Sequence, residues 1–168
     1  NVTGLSYKAN TFKKLKAAGY TLGFFGILKA VLKNTNCPIV HVTALYKHFM
    51  YFEILLLLLC RVRGIKFIYD IRAGSAKILY KKKSWIYRSG FKYILAKSDM
   101  ILVEGKEYIP FIQELVGRTA NYFPNYVDVS VIQRNIISCD VINLCYIGRV
   151  VRDKGVSQAI EVCALLND

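Results

Sequence analysis

Pro38-Ile39-Val40-His41-Val42-Thr43 and, after a long apolar segment, Gly64-Ile65-Lys66-Phe67-Ile68-Tyr69-Asp70 decide the fold of this chain. Each run is short, rich in β-branched or aromatic residues and bounded by a breaker, which reads as a buried strand. Between them a helix is expected from about Lys47 to Arg63. It is apolar nearly all round between Phe49 and Val62, as a helix buried on most faces would be, and Gly64 stands in the C-cap role. A helix joining two continuous apolar strands is the unit of a parallel sheet.

The alternation continues outward in both directions. Asn10 or Thr11 can cap a helix reaching about Lys33, with apolar residues at 12, 15, 18, 22, 25 and 28. After Asp70, a Gly-containing, Lys-rich loop leads to a helix from about Ser84 to Ala96. Met100-Ile101-Leu102-Val103 is a third strand, Glu107 to Val116 a helix, and Asn121-Tyr122-Phe123 a short fourth strand closed by Pro124. The fold class is therefore α/β, a Rossmann-like parallel sheet with helices on both faces. Residues 1–128 form this domain and 129–140 a connector. Residues 141–168 (strand Val141 to Ile147, turn Gly148-Arg149, helix Val156 to Leu166) read as the beginning of a second Rossmann-like domain.

The chain has 168 residues, 54% of them hydrophobic, which excludes disorder. Its longest apolar run, Ile54 to Cys60, is far short of the roughly 20 residues a membrane span needs. It starts without Met or a signal-peptide pattern and ends abruptly, which suggests a piece of a longer protein. Five cysteines without a Cys-x-x-Cys pair argue against a disulfide framework or structural zinc, and each reads as a small buried residue in a reducing compartment. His41 and His48 are too few for a histidine-rich metal site.

Charge is unevenly placed. Residues 1–103 hold 18 Lys/Arg against 3 Asp/Glu, whereas residues 104–168 hold 6 against 8. The basic part implies an acidic partner; the plainer reading is a solvated face that keeps the chain soluble. Lysines interleaved with Phe12, Leu15, Tyr20, Leu22, Phe24, Phe25, Ile27 and Leu28 suit a helix lying on an anionic membrane better than one on nucleic acid, for which no motif is present. Those apolar residues equally suit a core.

Two segments carry chemistry: Pro124-Asn125-Tyr126-Val127-Asp128, and Leu144-Cys145-Tyr146-Ile147-Gly148-Arg149 followed by Lys154-Gly155 at a helix entrance. A strand-to-helix turn presents free N–H groups and a positive dipole end. Arg149 can fork onto phosphate oxygens and Lys154 can add a point charge, which suits a diphosphate; an ordinary basic surface loop is the alternative.

These segments resemble the start of the second domain in family 4 glycosyltransferases of GT-B architecture, with Tyr126 where Gly is usual. The resemblance implies that Gly148, Arg149 and Lys154 hold the diphosphate of a nucleotide-sugar donor. It is weaker upstream. There Val40-His41-Val42 resembles a family strand with a buried or cleft-facing His, and Tyr69-Asp70-Ile71-Arg72 stands at the mouth of the cleft. Asp70 and Arg72 thus become catalytic-site candidates, with a strand-end cap as the plainer reading of Asp70 and a satisfied core histidine as that of His41.

The family's opening strand with its Gly-rich loop, and its paired glutamates, have no counterpart here. The resemblance implies a fragment, inactive alone, of a retaining, metal-independent enzyme without a cofactor. The intact enzyme would move a sugar from a nucleotide-sugar donor to a lipid-linked or cell-surface glycan acceptor, peripheral on the inner face of a bacterial membrane. No Asp-x-Asp occurs, in agreement with a site needing no metal. The alternatives are a non-catalytic basic α/β module binding anionic membrane or polyanion, and a sugar-nucleotide epimerase of the same architecture.

Overall fold

The computed structural model describes residues 16–33, 37–72, 74, 76–126, 145–148, 150–151 and 154–166. The chain divides into two compact units, Asn1–Tyr126 and Val127–Asp168. In the first, the elements are α1 (Lys16–Lys33), β1 (Ile39–Thr43), α2 (Phe49–Val62), β2 (Lys66–Ile71), α3 (Ala76–Lys82), α4 (Trp85–Lys97), β3 (Met100–Val103), α5 (Tyr108–Val116) and β4 (Asn121–Tyr122). The four strands are all parallel, in the order β1-β2-β3-β4. The unit is an α/β, Rossmann-like sheet flanked by helices.

Strand order follows chain order, and right-handed crossovers then bring successive helices to one side of a sheet. Accordingly α2 packs on α4 and α4 on α5, while α1 lies against α2. The Phe24 and Phe52 rings meet there at 4.7 Å.

Beneath this layer one sheet face is apolar: Phe67, Tyr69 and Ile71 of β2 beside Ile101 and Val103 of β3, all buried. The register sets Tyr69 next to Ile101 and Ile71 next to Val103. From α4 come Tyr87, Phe91, Ile94 and Leu95, one helical face at i, i+4, i+7 and i+8. Each such side chain contributes roughly 1.5–3 kcal/mol by leaving water. The alternate strand residues point the other way. Ile39, His41, Thr43 and Met100 are exposed there, and Ile68 and Leu102 half-buried.

Several elements differ from the sequence reading. Residues 76–82, expected in a loop, form α3. Lys81 and Lys82 at its end, with Lys83 just after, mask an apolar i, i+3 pattern, and Tyr108 supplies its phenol oxygen to the backbone N–H groups of Ala76 and Lys77. α2 is not buried on most faces: Met50, Glu53, Leu56, Leu57 and Cys60 turn inward, while Tyr51, Leu55, Leu58 and Val62 form an exposed stripe. Of the cysteines only Cys60 is buried; Cys37 and Cys163 are half-buried, Cys145 is exposed, and Cys139 lies outside the described residues.

The helix start expected at Asn10 or Thr11 and the connector 129–140 also lie outside the described residues. In the second unit Cys145, Tyr146 and Ile147 are not in a strand, and 141–144 lie outside the described residues. α6 (Val156–Leu165) follows, with no buried residue.

Candidate functional site

The carboxyl ends of parallel strands, where crossover loops diverge, are where α/β sheets bind ligands. At that edge β1 contributes His41, β2 Asp70, the residue after β2 Arg72, the residue after β3 Glu104, and the segment after β4 Asn125. They form one chain of polar contacts.

Asp70 is its centre. Its side chain is fully buried, yet Oδ2 accepts from Arg72 Nε at 2.7 Å and lies 3.1 Å from His41 Nε2. Among the described residues its partners are side chains. Oδ1 is equally buried and has no hydrogen-bond partner among the described residues. An ionised carboxylate oxygen only accepts, and leaving a buried acceptor unpaired costs about 1–3 kcal/mol.

Arg72 is held from three sides. Besides Asp70, its Nη1 donates to Asn125 Oδ1 at 2.6 Å, and its guanidinium carbon lies 5.0 Å from the Phe123 ring centre. Asn125 in turn donates from Nδ2 to Glu104 Oε1. The hydrogen bond to Asp70 raises the Arg72 pKa above its ordinary value, so the guanidinium stays charged.

His41 is not a core histidine. It lies on the outward face of β1 with 44% of its side chain exposed. Its Nε2 faces the carboxylate, and the neutral tautomer that donates there has an acceptor at Nδ1.

A second, buried network fixes the loop after β1. Glu53 from α2 accepts from Leu45 N–H at 2.8 Å and from the Tyr69 hydroxyl at 2.7 Å. Burial pushes the Glu53 pKa up, the two hydrogen bonds opposing it. Burial and the neighbouring Glu53 charge hold the Tyr69 phenol well above its usual range.

Tyr46 and Lys47 take left-handed φ values of 60° and 56°, costing about 1–3 kcal/mol each for residues with a Cβ. The Tyr87 phenol accepts from the Lys47 N–H, and Ala44 N–H donates to the Asp70 carbonyl at 2.9 Å. These contacts anchor the strained loop beside the site.

Of the residues expected at the diphosphate site, Gly148, Lys154 and Gly155 are described, whereas Arg149 lies outside the described residues. Lys154 N–H donates to Val151 O at 3.0 Å, and the Tyr146 hydroxyl donates to Lys154 O at 3.2 Å. A Cβ on Gly148 would sit 3.2 Å from that hydroxyl. Gly155, the N-cap of α6, has φ +75°, a conformation open to glycine. Lys154 is exposed at this helix entrance. Tyr126, where the resemblance would expect Gly, is exposed and takes no positive φ.

Asp70 and Arg72, expected at the cleft mouth, are brought together. Asn125, from the Pro124–Asp128 segment, and Glu104 join them. The Asn directly after the Pro that closes β4 was the available signal for the first; Glu104 carries none beyond its place at a strand end. No group of three or more His, Cys, Asp or Glu among the described residues is placed to hold a metal ion. No family model matches the chain, and no curated protein matches its sequence.

Proposed function

We propose that this chain is the acceptor-side domain, with the opening of the donor side, of a glycosyltransferase that passes a sugar from a nucleotide-sugar to a lipid-linked or cell-surface glycan. The observation that supports it best is the buried Asp70 with its unpaired Oδ1 at the carboxyl edge of a parallel sheet, between His41 and Arg72. A sugar hydroxyl is a neutral donor that fits a buried acceptor without adding charge. Asp70 orients that hydroxyl, Arg72 balances the carboxylate, and His41 offers Nδ1 to a second hydroxyl. On the donor side, Arg149 and Lys154 offset charge on the departing nucleoside diphosphate while the new glycosidic bond forms.

No helix among the described residues is long and apolar enough to cross a membrane. A lipid-linked acceptor would therefore be met by these residues from the bilayer surface. The test, made on an intact enzyme rebuilt around this chain, is transfer of radiolabel from UDP- and GDP-sugars into organic-extractable products of a bacterial lipid extract, together with binding of UDP and GDP. Label transfer lost in Asp70→Asn, with diphosphate binding weakened in Lys154→Ala, is expected. Neither transfer nor nucleotide binding would remove the reading.

A further inference from the structure

From residue 16 to residue 98 the chain carries only two carboxylates, Glu53 and Asp70, and both are buried. The described surface of α1 to α4 therefore shows positive and apolar side chains with no negative one among them. Their densest mixture is at the α3–α4 corner. Lys81 and Lys82 end α3, Lys83 and Ser84 make the turn, and Trp85 and Ile86 open α4, which packs against α3. Trp85 is 69% exposed, Ile86 54%, and Ile78, one turn back on α3, 55%. All three lysines are exposed. The inward face of α4 is already filled by Tyr87, Phe91, Ile94 and Leu95, so Trp85 and Ile86 are not core residues displaced outward.

We propose that this corner is a docking surface for an anionic lipid bilayer. Trp85, Ile86 and Ile78 enter the headgroup layer, and Lys81, Lys82 and Lys83 pair with lipid phosphates. An indole is amphipathic and settles at the level of lipid headgroups. The isoleucines gain by leaving water at the acyl boundary. Nucleic acid would use the lysines and could stack on the indole, but it offers no apolar medium for two aliphatic side chains. A second copy of the chain would bring the same positive surface against itself, with no exposed carboxylate from 16–98 to compensate.

The proposal deepens the membrane partner of the reading above and rests on it for that partner alone. Vesicle binding needs no sugar transfer, so its failure leaves the Asp70 site standing.

Trp85 is the sole tryptophan of the chain, so its emission reports the corner directly. The chain is mixed with phosphatidylcholine vesicles, with mixed phosphatidylcholine–phosphatidylglycerol vesicles, with the latter carrying brominated acyl chains, and with random duplex DNA. The expected result is a blue shift with the anionic vesicles, quenching by the brominated chains and reversal by high salt. Replacing Lys81, Lys82 and Lys83 together by Gln is expected to weaken binding at least about tenfold. Ile78→Ser with Ile86→Ser is expected to reduce quenching; these exposed positions leave the melting temperature as a check on folding. Four results would overturn the proposal: an emission unchanged by anionic vesicles, equal response to neutral vesicles, full binding by the lysine variant, or a response to DNA or to protein concentration in place of vesicles.

Discussion

His41 and Asp70 stand 29 positions apart in sequence on neighbouring parallel strands, and Nε2 of the first lies 3.1 Å from the buried Oδ2 of the second. Their parity places both on the sheet face away from Phe67, Tyr69 and Ile71. Arg72 reaches the same oxygen at 2.7 Å, so among the described residues one carboxylate atom takes both partners and the other takes none. A purely structural ion pair gains from spreading its partners over both oxygens.

Asp70 and Arg72 should therefore couple strongly in stability. Arg72→Gln alone leaves a buried charge with only a histidine beside it and is expected to cost about 2–4 kcal/mol. In an Asp70→Asn background the same change should cost under about 1 kcal/mol, because no buried charge remains to be abandoned. Denaturant unfolding of the four proteins checks the cycle; additive costs would mean that the pair is not coupled.

Glu53 sets a pH dependence. Burial raises its folded pKa above the ordinary 4.5, so between 4.5 and that raised value the native state holds a proton that the unfolded chain has released. Stability from this group is thus full below pH 4.5 and falls as pH rises through the raised folded value. Glu53→Gln keeps the hydrogen bonds by accepting from Leu45 N–H and donating to the Tyr69 oxygen. The melting temperature of the variant should be flatter with pH across that window. An unchanged slope would show that the carboxyl does not titrate as its burial implies.

Arg118 caps α4 from a distance. Its guanidinium donates to the carbonyls of Leu95 and Ala96, which the helix end leaves unpaired, and to those of Ser98 and Asp99 just beyond it. Arg118→Ala is expected to destabilise the first unit by about 1–3 kcal/mol, and Arg118→Lys to recover only part, since an ammonium cannot reproduce the fork. Full recovery by Lys in thermal melting would reduce the contact to simple charge.

The sheet was largely legible in sequence. β1 and β3 follow Ile39–Thr43 and Met100–Val103 as read, because short β-branched or continuous apolar runs beside Pro38 and Asp99 admit little else. α3 was hidden because Lys81, Lys82 and Lys83 look like a solvated loop, and its support comes from Tyr108, over two dozen residues on. The exposed half of α2 was hidden for the opposite reason. A leucine-rich run shows no polar face, and the lone Glu53 in it was the clue that one side meets a buried donor. The site was half legible. Asp70 and Arg72 sit at a recognisable strand end, but Asn125 reaches Arg72 across 53 positions, a pairing fixed by sheet order and not by any local pattern.

In the second unit, Gly155→Ala should strain the α6 entrance, because its φ of +75° is unfavourable for a residue with a Cβ. A cost of roughly 1–2 kcal/mol is expected. It would be read as faster hydrogen exchange at Ala159, whose N–H donates to Gly155 O at 3.0 Å. Unchanged exchange would mean that the left-handed turn is not required.

The most direct measurement on the Asp70 site is nuclear magnetic resonance of the His41 ring nitrogens and the Asp70 carboxyl carbon during titration with a short-chain prenyl-diphosphate-linked sugar. If a sugar hydroxyl donates to Oδ1, both signals should shift saturably and together, and Asp70→Asn should lose the response while keeping its fold. Signals that stay fixed as the sugar is added, or an Asp70→Asn protein that binds it as tightly as the parent, would contradict a hydroxyl-binding site built on Asp70.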